Sequence, residues 1–265
     1  LGYPLVWNAQ LLGDNISIVG ENAAALASGV VYWMGRDKFY KYDGRVSTLN
    51  CDLREFIFDD FNQQQDNQVY ASTNEGFNEV WWFYCSADSV VVDKYAIYNY
   101  AEDIWYYGTM GRTAWLDSGI LDFPIAATYT QNLVNHESGL DDNETATPTA
   151  IYSYITSSEF DIDDGDKFGF VWRMLPDLTF SNSASEPTSG NSPRVTMTLY
   201  GLYNSGSGVI DNASGLVAKS STYVITEEFT GQIFTRLRGR QMIYKISSNQ
   251  INTCWQLGAP RIDLK

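Results

Sequence analysis

Positive charge is scarce in this chain of 265 residues: 17 Lys and Arg stand against 32 Asp and Glu, a formal charge of 17 − 32 = −15. Wrapping a nucleic acid by phosphate neutralisation needs clustered cations, so the overall composition argues against that function class. Histidine occurs once, at His136, and a Ser-His-Asp triad could run only through it. It lies in Asn135-His136-Glu137-Ser138-Gly139 with no Gly-x-Ser-x-Gly elbow beside it, and reads as a loop histidine bonded to backbone or a neighbouring acid. The cysteines Cys51, Cys85 and Cys254 are odd in number and far apart. They offer neither a disulfide framework nor metal-ligand spacing, and read as small buried apolar residues. No apolar run approaches the roughly 18 residues that a membrane-spanning helix needs, which excludes insertion by that route. The chain opens on Leu1 without a signal peptide and is expected to be a fragment or processed piece of something longer.

Aromatic residues are abundant: 8 Trp, 18 Tyr and 13 Phe make up 15% of the chain. That supply offsets the entropy of ordering and rules out disorder for the whole. The length suits one large β domain or two smaller ones. Charge is uneven along the chain. Residues 194–265 hold eight bases and four acids, 8 − 4 = +4, whereas residues 1–193 hold nine bases and 28 acids, 9 − 28 = −19. Such asymmetry sets long-range fields and partner choice. It reads either as a solvated surface that resists self-association or as a surface that must not stick to a passing polyanion.

Residues 29–46 form two short β-rich runs around Gly35-Arg36-Asp37, with a second turn at Asp43-Gly44, where Gly and Asp supply the positive φ of tight turns. The pattern returns 56 residues on, with Asp93-Lys94-Tyr95 echoing Asp37-Lys38-Phe39 and Tyr98-Asn99 echoing Tyr42-Asp43. A period near 50 with aromatic antiparallel strands predicts propeller-like blades. Between the copies, Leu53, Phe56, Ile57 and Phe61 share a helical face behind Asp52 as N-cap, which predicts one short amphipathic helix. Val69-Tyr70-Ala71, Ile104-Trp105-Tyr106-Tyr107 and Thr113-Ala114-Trp115-Leu116 supply further strands. After about residue 124 polar acidic loops (135–149 and 181–193) separate strands at 150–162, 167–175, 194–203, 222–229, 232–247 and 253–264. The expected fold is therefore mainly β, with a propeller-like region over 1–124 and a β-sandwich-like unit over 125–265.

Few residues nominate chemistry. Asp161, Asp163, Asp164 and Asp166 crowd into Asp161-Ile162-Asp163-Asp164-Gly165-Asp166, an oxygen-rich run that calcium could use. Gly165 arrives one place early for an EF-hand loop and no closing Glu follows, so a strand-ending acidic turn is the preferred reading. The pairs Asp59-Asp60, Glu102-Asp103 and Asp141-Asp142 could serve a glycosidase only if two carboxylates faced each other across a cleft, and neighbours on a strand point to opposite faces. No catalytic residue or cofactor is nominated. Arg236, Arg238 and Arg240 alternate along the 232–247 strand, with Lys245 beyond, which puts three guanidinium groups on one sheet face. They suit phosphate, a solvated face or, as preferred here, bidentate pairing with acids of a neighbouring subunit. Sequons at Asn15, Asn143 and Asn212 carry little weight without secretion. Trp81-Trp82 and Tyr106-Tyr107 would be the platforms of a rival receptor- or glycan-binding module.

The stretch Tyr32-Trp33-Met34-Gly35-Arg36-Asp37-Lys38-Phe39-Tyr40-Lys41-Tyr42-Asp43-Gly44-Arg45-Val46 resembles a segment of the tail hub (nozzle) proteins of tailed phages, often called packaged-DNA stabilisation proteins. The likeness runs on through Arg54-Glu55-Phe56-Ile57-Phe58-Asp59-Asp60-Phe61-Asn62, Phe77-Asn78-Glu79-Val80-Trp81-Trp82-Phe83-Tyr84, Trp105-Tyr106-Tyr107-Gly108-Thr109, His136-Glu137-Ser138-Gly139, Arg238-Gly239-Arg240-Gln241-Met242 and Trp255-Gln256-Leu257-Gly258. It implies a non-enzymatic virion component without a cofactor. Several copies, six by the resemblance, would form a ring below portal and adaptor, beside tail fibre or spike proteins, extending the exit channel for double-stranded DNA and helping retain the packaged genome. Such proteins are usually longer, so Leu1 is expected to lie mid-protein. Arg236, Arg238 and Arg240 would dock on an acidic neighbour, and a glycoside hydrolase is the remaining, less favoured alternative.

Overall fold

Short runs of β-branched and aromatic residues, broken by Gly, Asn and Asp, fold into antiparallel sheets, so the chain is mainly β. The computed structural model describes residues 11–162, 164–187, 189–204, 206–209, 218–227 and 231–264. Two compact units divide between Ser138 and Gly139.

The first unit holds three antiparallel meanders. Strands β1 (Ala24–Ala27), β2 (Val30–Met34), β3 (Phe39–Tyr42) and β4 (Val46–Leu49) form the first sheet. Strands β5 (Tyr70–Asn74), β6 (Glu79–Tyr84), β7 (Lys94–Asn99) and β8 (Ile104–Thr109) form the second, and β9 (Ala114–Leu116), β10 (Ile125–Ala127) and β11 (Leu133–Asn135) the third. The two copies of the 56-residue echo open the third strand of each four-stranded sheet, at Phe39 and at Lys94-Tyr95. Gly44 adopts φ +110 as the turn chemistry predicts. Gly35 does not need positive φ; a Cβ there would lie 2.8 Å from the Lys38 carbonyl oxygen, so close approach selects glycine.

The sheets stack in chain order. Tyr32, Met34, Phe39 and Leu49 of the first sheet share a buried cluster with Val80, Trp82, Tyr84, Ala96 and Tyr98 of the second. Trp81, Phe83 and Ile97, on the opposite face of that second sheet, form another with Trp115 and Ala126 of the third. The second sheet is thus covered on both faces, which explains why β6 is nearly continuously apolar rather than alternating. It also moves the boundary past residue 124: β10 and β11 pair with β9 and belong to the first unit's core. Helix α1 (Arg54–Asp60) buries Ile57 in the first cluster. Its N-cap is Leu53 without a side-chain cap bond, so Asp52 does not cap it, and Phe56 is exposed on its outer side.

The second unit contains β12 (Asp141–Asp142), β13 (Thr149–Ala150), β14 (Ser153–Thr156), β15 (Phe160–Asp161), β16 (Gly169–Leu175), β17 (Leu178–Thr179), β18 (Arg194–Leu202), β19 (Lys219–Thr226), β20 (Ile233–Gly239), β21 (Gln241–Ser248), β22 (Gln256–Leu257) and β23 (Arg261–Leu264). A five-stranded sheet runs β14-β21-β18-β19, with β15 also on β21; a three-stranded sheet runs β20-β16-β23. Val195, Met197, Leu199, Met242 and Ile246 from the former meet Val171, Met174, Ile233 and Leu237 from the latter in one buried cluster. Two sheets over a common core is the arrangement that alternating burial along β18 and β20 requires.

Candidate functional site

Strand β20 turns Ile233, Thr235 and Leu237 inward and leaves Phe234, Arg236 and Arg238 exposed. Arg240 does not continue the row. Gly239 ends the strand because a Cβ there would lie 2.9 Å from the Gln241 carbonyl and from the Leu202 backbone nitrogen and oxygen. The chain bends at Arg240, whose N–H donates to the Leu202 carbonyl at 2.8 Å while its own carbonyl accepts from Ile162 N–H at 2.8 Å. One expected strand over 232–247 is therefore two, β20 and β21, which the bend sends into different sheets. Lys245 lies on β21, in the other sheet, with Nζ 5.1 Å from the Tyr154 ring and 5.7 Å from the Tyr152 ring. Its hydrogen bond to the Tyr152 hydroxyl lowers that group's pKa.

Aromatic rings frame the guanidinium groups. The Cζ atoms of Arg238 and Arg240 lie 5.0 and 5.2 Å from the Phe168 ring centre, and the Phe168 ring meets Tyr203 edge-on at 6.5 Å. Phe234 tilts against Trp172 of β16 at 6.3 Å. A register shift between Val171 and Arg173 falls at Trp172. Arg173 stacks on Trp172 at 4.8 Å and ion-pairs with Asp263 of β23, so that guanidinium is already engaged. The face can recognise planar anions, since arginine forks donate bidentately to carboxylate or phosphate and cation–π contacts hold them in place. Spacing along the chain does not single out Phe168 or Trp172, whereas Phe234 shares the strand parity of Arg236 and Arg238.

The acidic run is a turn. Asp161 accepts from Gln241 Nε2 at 2.8 Å, Gly165 takes φ +71 with its N–H on the Ile162 carbonyl, and Asp166 lies 3.8 Å from Lys167 Nζ. Asp163 lies outside the described residues, as does the sequon at Asn212. Among the described residues no group of three or more His, Cys, Asp or Glu side chains could hold a metal ion.

His136 accepts at Nε2 from Arg112 Nε at 3.0 Å and its ring lies 4.6 Å from Trp115, so the Nε2 lone pair is taken up by the arginine. The acid pairs hold the fold: Asp60 binds Lys94 at 2.6 Å, Asp103 accepts from the Tyr98 hydroxyl at 2.7 Å, and Asp141 accepts from Asn252 N–H at 2.9 Å. Trp81 is 6% and Trp82 0% exposed, one in each core cluster, which removes them as a glycan platform. Tyr106 and Tyr107 are exposed, and Tyr107 lies 4.6 Å from Phe56. Burial raises the pKa of Glu79, against the lowering effect of hydrogen bonds from Trp81 Nε1 at 2.9 Å and Asn74 at 3.4 Å. No protein-family model matches the chain, and no curated protein matches it.

Proposed function

We propose that the chain is a structural, non-enzymatic component of a phage tail: a hub or nozzle protein whose copies, six by resemblance, ring the exit channel below portal and adaptor and help retain packaged DNA. The observation that carries this reading is the pairing of a doubly cored aromatic stack with a strongly acidic composition. Over residues 1–138 seven bases stand against 18 acids, 7 − 18 = −11. A stiff wall of that sign repels phosphates and gives DNA no place to stick. The succession of antiparallel meanders supports a propeller-like body, with the second sheet presenting one face to the sheet before it and the other to the sheet after. The likeness to tail hub proteins over most of the chain in order supplies the virion setting, with tail fibre or spike proteins as further neighbours.

Electron microscopy of the purified assembly tests this directly. A ring around a passage wide enough for a duplex is the expected image. A particle in which the chain lies away from the exit passage, or turnover of an oligosaccharide by the purified chain, would overturn it.

A further inference from the structure

The second unit carries a face whose chemistry runs against the acidity of the chain. Arg236 and Arg238 project from β20 beside Phe234, which is 66% exposed, and neither arginine forms an ion pair among the described residues. Trp172 flanks Phe234, and Phe168 lies against the Arg238 guanidinium. Arginine and large aromatics are the side chains that dominate protein–protein hot spots, because they combine apolar area with oriented donors and lose little entropy on docking. On this face Asp263 is already paired with Arg173.

We infer that this face, Phe234, Arg236 and Arg238 with Trp172 behind them, docks on the acidic first unit of a second copy of the chain. The occupant follows from charge complementarity: residues 1–138 carry a net −11, and every copy brings both surfaces. The two patches differ, so the contact can repeat head to tail, closing into a ring or growing into a filament according to the rotation between copies; a two-fold dimer could make it only by pairing the patches reciprocally, and the ring of the proposed function selects the repeating form. Arg240 contributes through Phe168 rather than as a docking group, since its backbone is held in the bend after Gly239. This inference rests on the multi-copy part of the proposed function and adds the surfaces that meet.

Sedimentation velocity of the full chain across a concentration series, at low and high ionic strength, tests it. The wild type is expected to associate beyond a dimer and to dissociate as salt is raised. Arg236→Glu with Arg238→Glu is expected to weaken association by at least about tenfold. Phe234→Ser, at an exposed position, is expected to weaken it comparably while leaving the thermal melt unchanged, which separates lost docking from lost folding. Wild-type association that both variants retain in full overturns this inference and leaves the ring reading standing. A wild type that stays monomeric at every concentration and ionic strength overturns both. Labelled duplex DNA captured by the wild type and released by the arginine variants, with association unchanged, would reassign the face to nucleic acid and also overturn the inference.

Discussion

At the scale of single residues, the most informative group is Glu79, at the head of β6. Burial raises its pKa, so ionising it carries a desolvation cost. That cost is fully present above the raised value, shrinks as pH falls through it, and is gone below the ordinary carboxylate range. Glu79→Gln keeps an oxygen acceptor for Trp81 Nε1 and removes the charge. The variant is expected to melt about 1–4 °C above the wild type at neutral pH, with the two curves converging in acid; thermal denaturation followed by circular dichroism at both pH values measures this. Trp82 is the opposite case, a fully buried indole whose Nε1 donates to the Ala23 carbonyl at 3.1 Å. Trp82→Ala leaves a large cavity and removes one of two hydrogen bonds to the Ala23 carbonyl, which keeps the Met34 N–H at 3.1 Å, and is expected to cost about 3–5 kcal/mol, read as a shift of the first unit's urea midpoint.

At the scale of elements, the tightest constraint is the bend between β20 and β21. Gly239→Ala places a methyl against three backbone atoms of Leu202 and Gln241, which no rotamer change relieves. It is expected to cost the second unit about 1–3 kcal/mol, measured by chemical denaturation, while a substitution at exposed Gly190, which has open space around it, serves as the strain control at positive φ. This bend was illegible beforehand because Ile233 to Ile246 reads as one alternating run, and a glycine chosen for close approach leaves no dipeptide turn signal. The turn at Asp43-Gly44 was legible for the opposite reason, since positive φ writes glycine into the sequence. The short helix was legible from Leu53 and Ile57, but its cap was not, because an Asp before an apolar run is also an ordinary exposed residue. In β6 the unbroken run Val80-Trp81-Trp82-Phe83-Tyr84 is itself the signal of a strand covered on both faces. The arginine row was legible as spacing; its aromatic frame was not, because Phe168 and Trp172 reach it from another strand and its flanking loop.

At the scale of the whole molecule, two separately cored units follow one another along the chain, and a soft compositional boundary near residue 124 could not reveal that β10 and β11 complete the first. Units with their own cores are expected to lose structure in two transitions rather than one, and resolving the transitions needs a signal confined to a single unit. The stacked indoles provide it. Trp81 and Trp115 lie 4.9 Å apart at 21°, and Trp82 and Trp105 lie 5.8 Å apart at 23°, all four within the first unit. Transition dipoles held that close couple excitonically, so the far-ultraviolet spectrum of this β protein is expected to carry a tryptophan couplet superimposed on the signal of its strands. The couplet vanishes when the first unit melts and is indifferent to the second, giving an intrinsic optical reporter of half the molecule without any label.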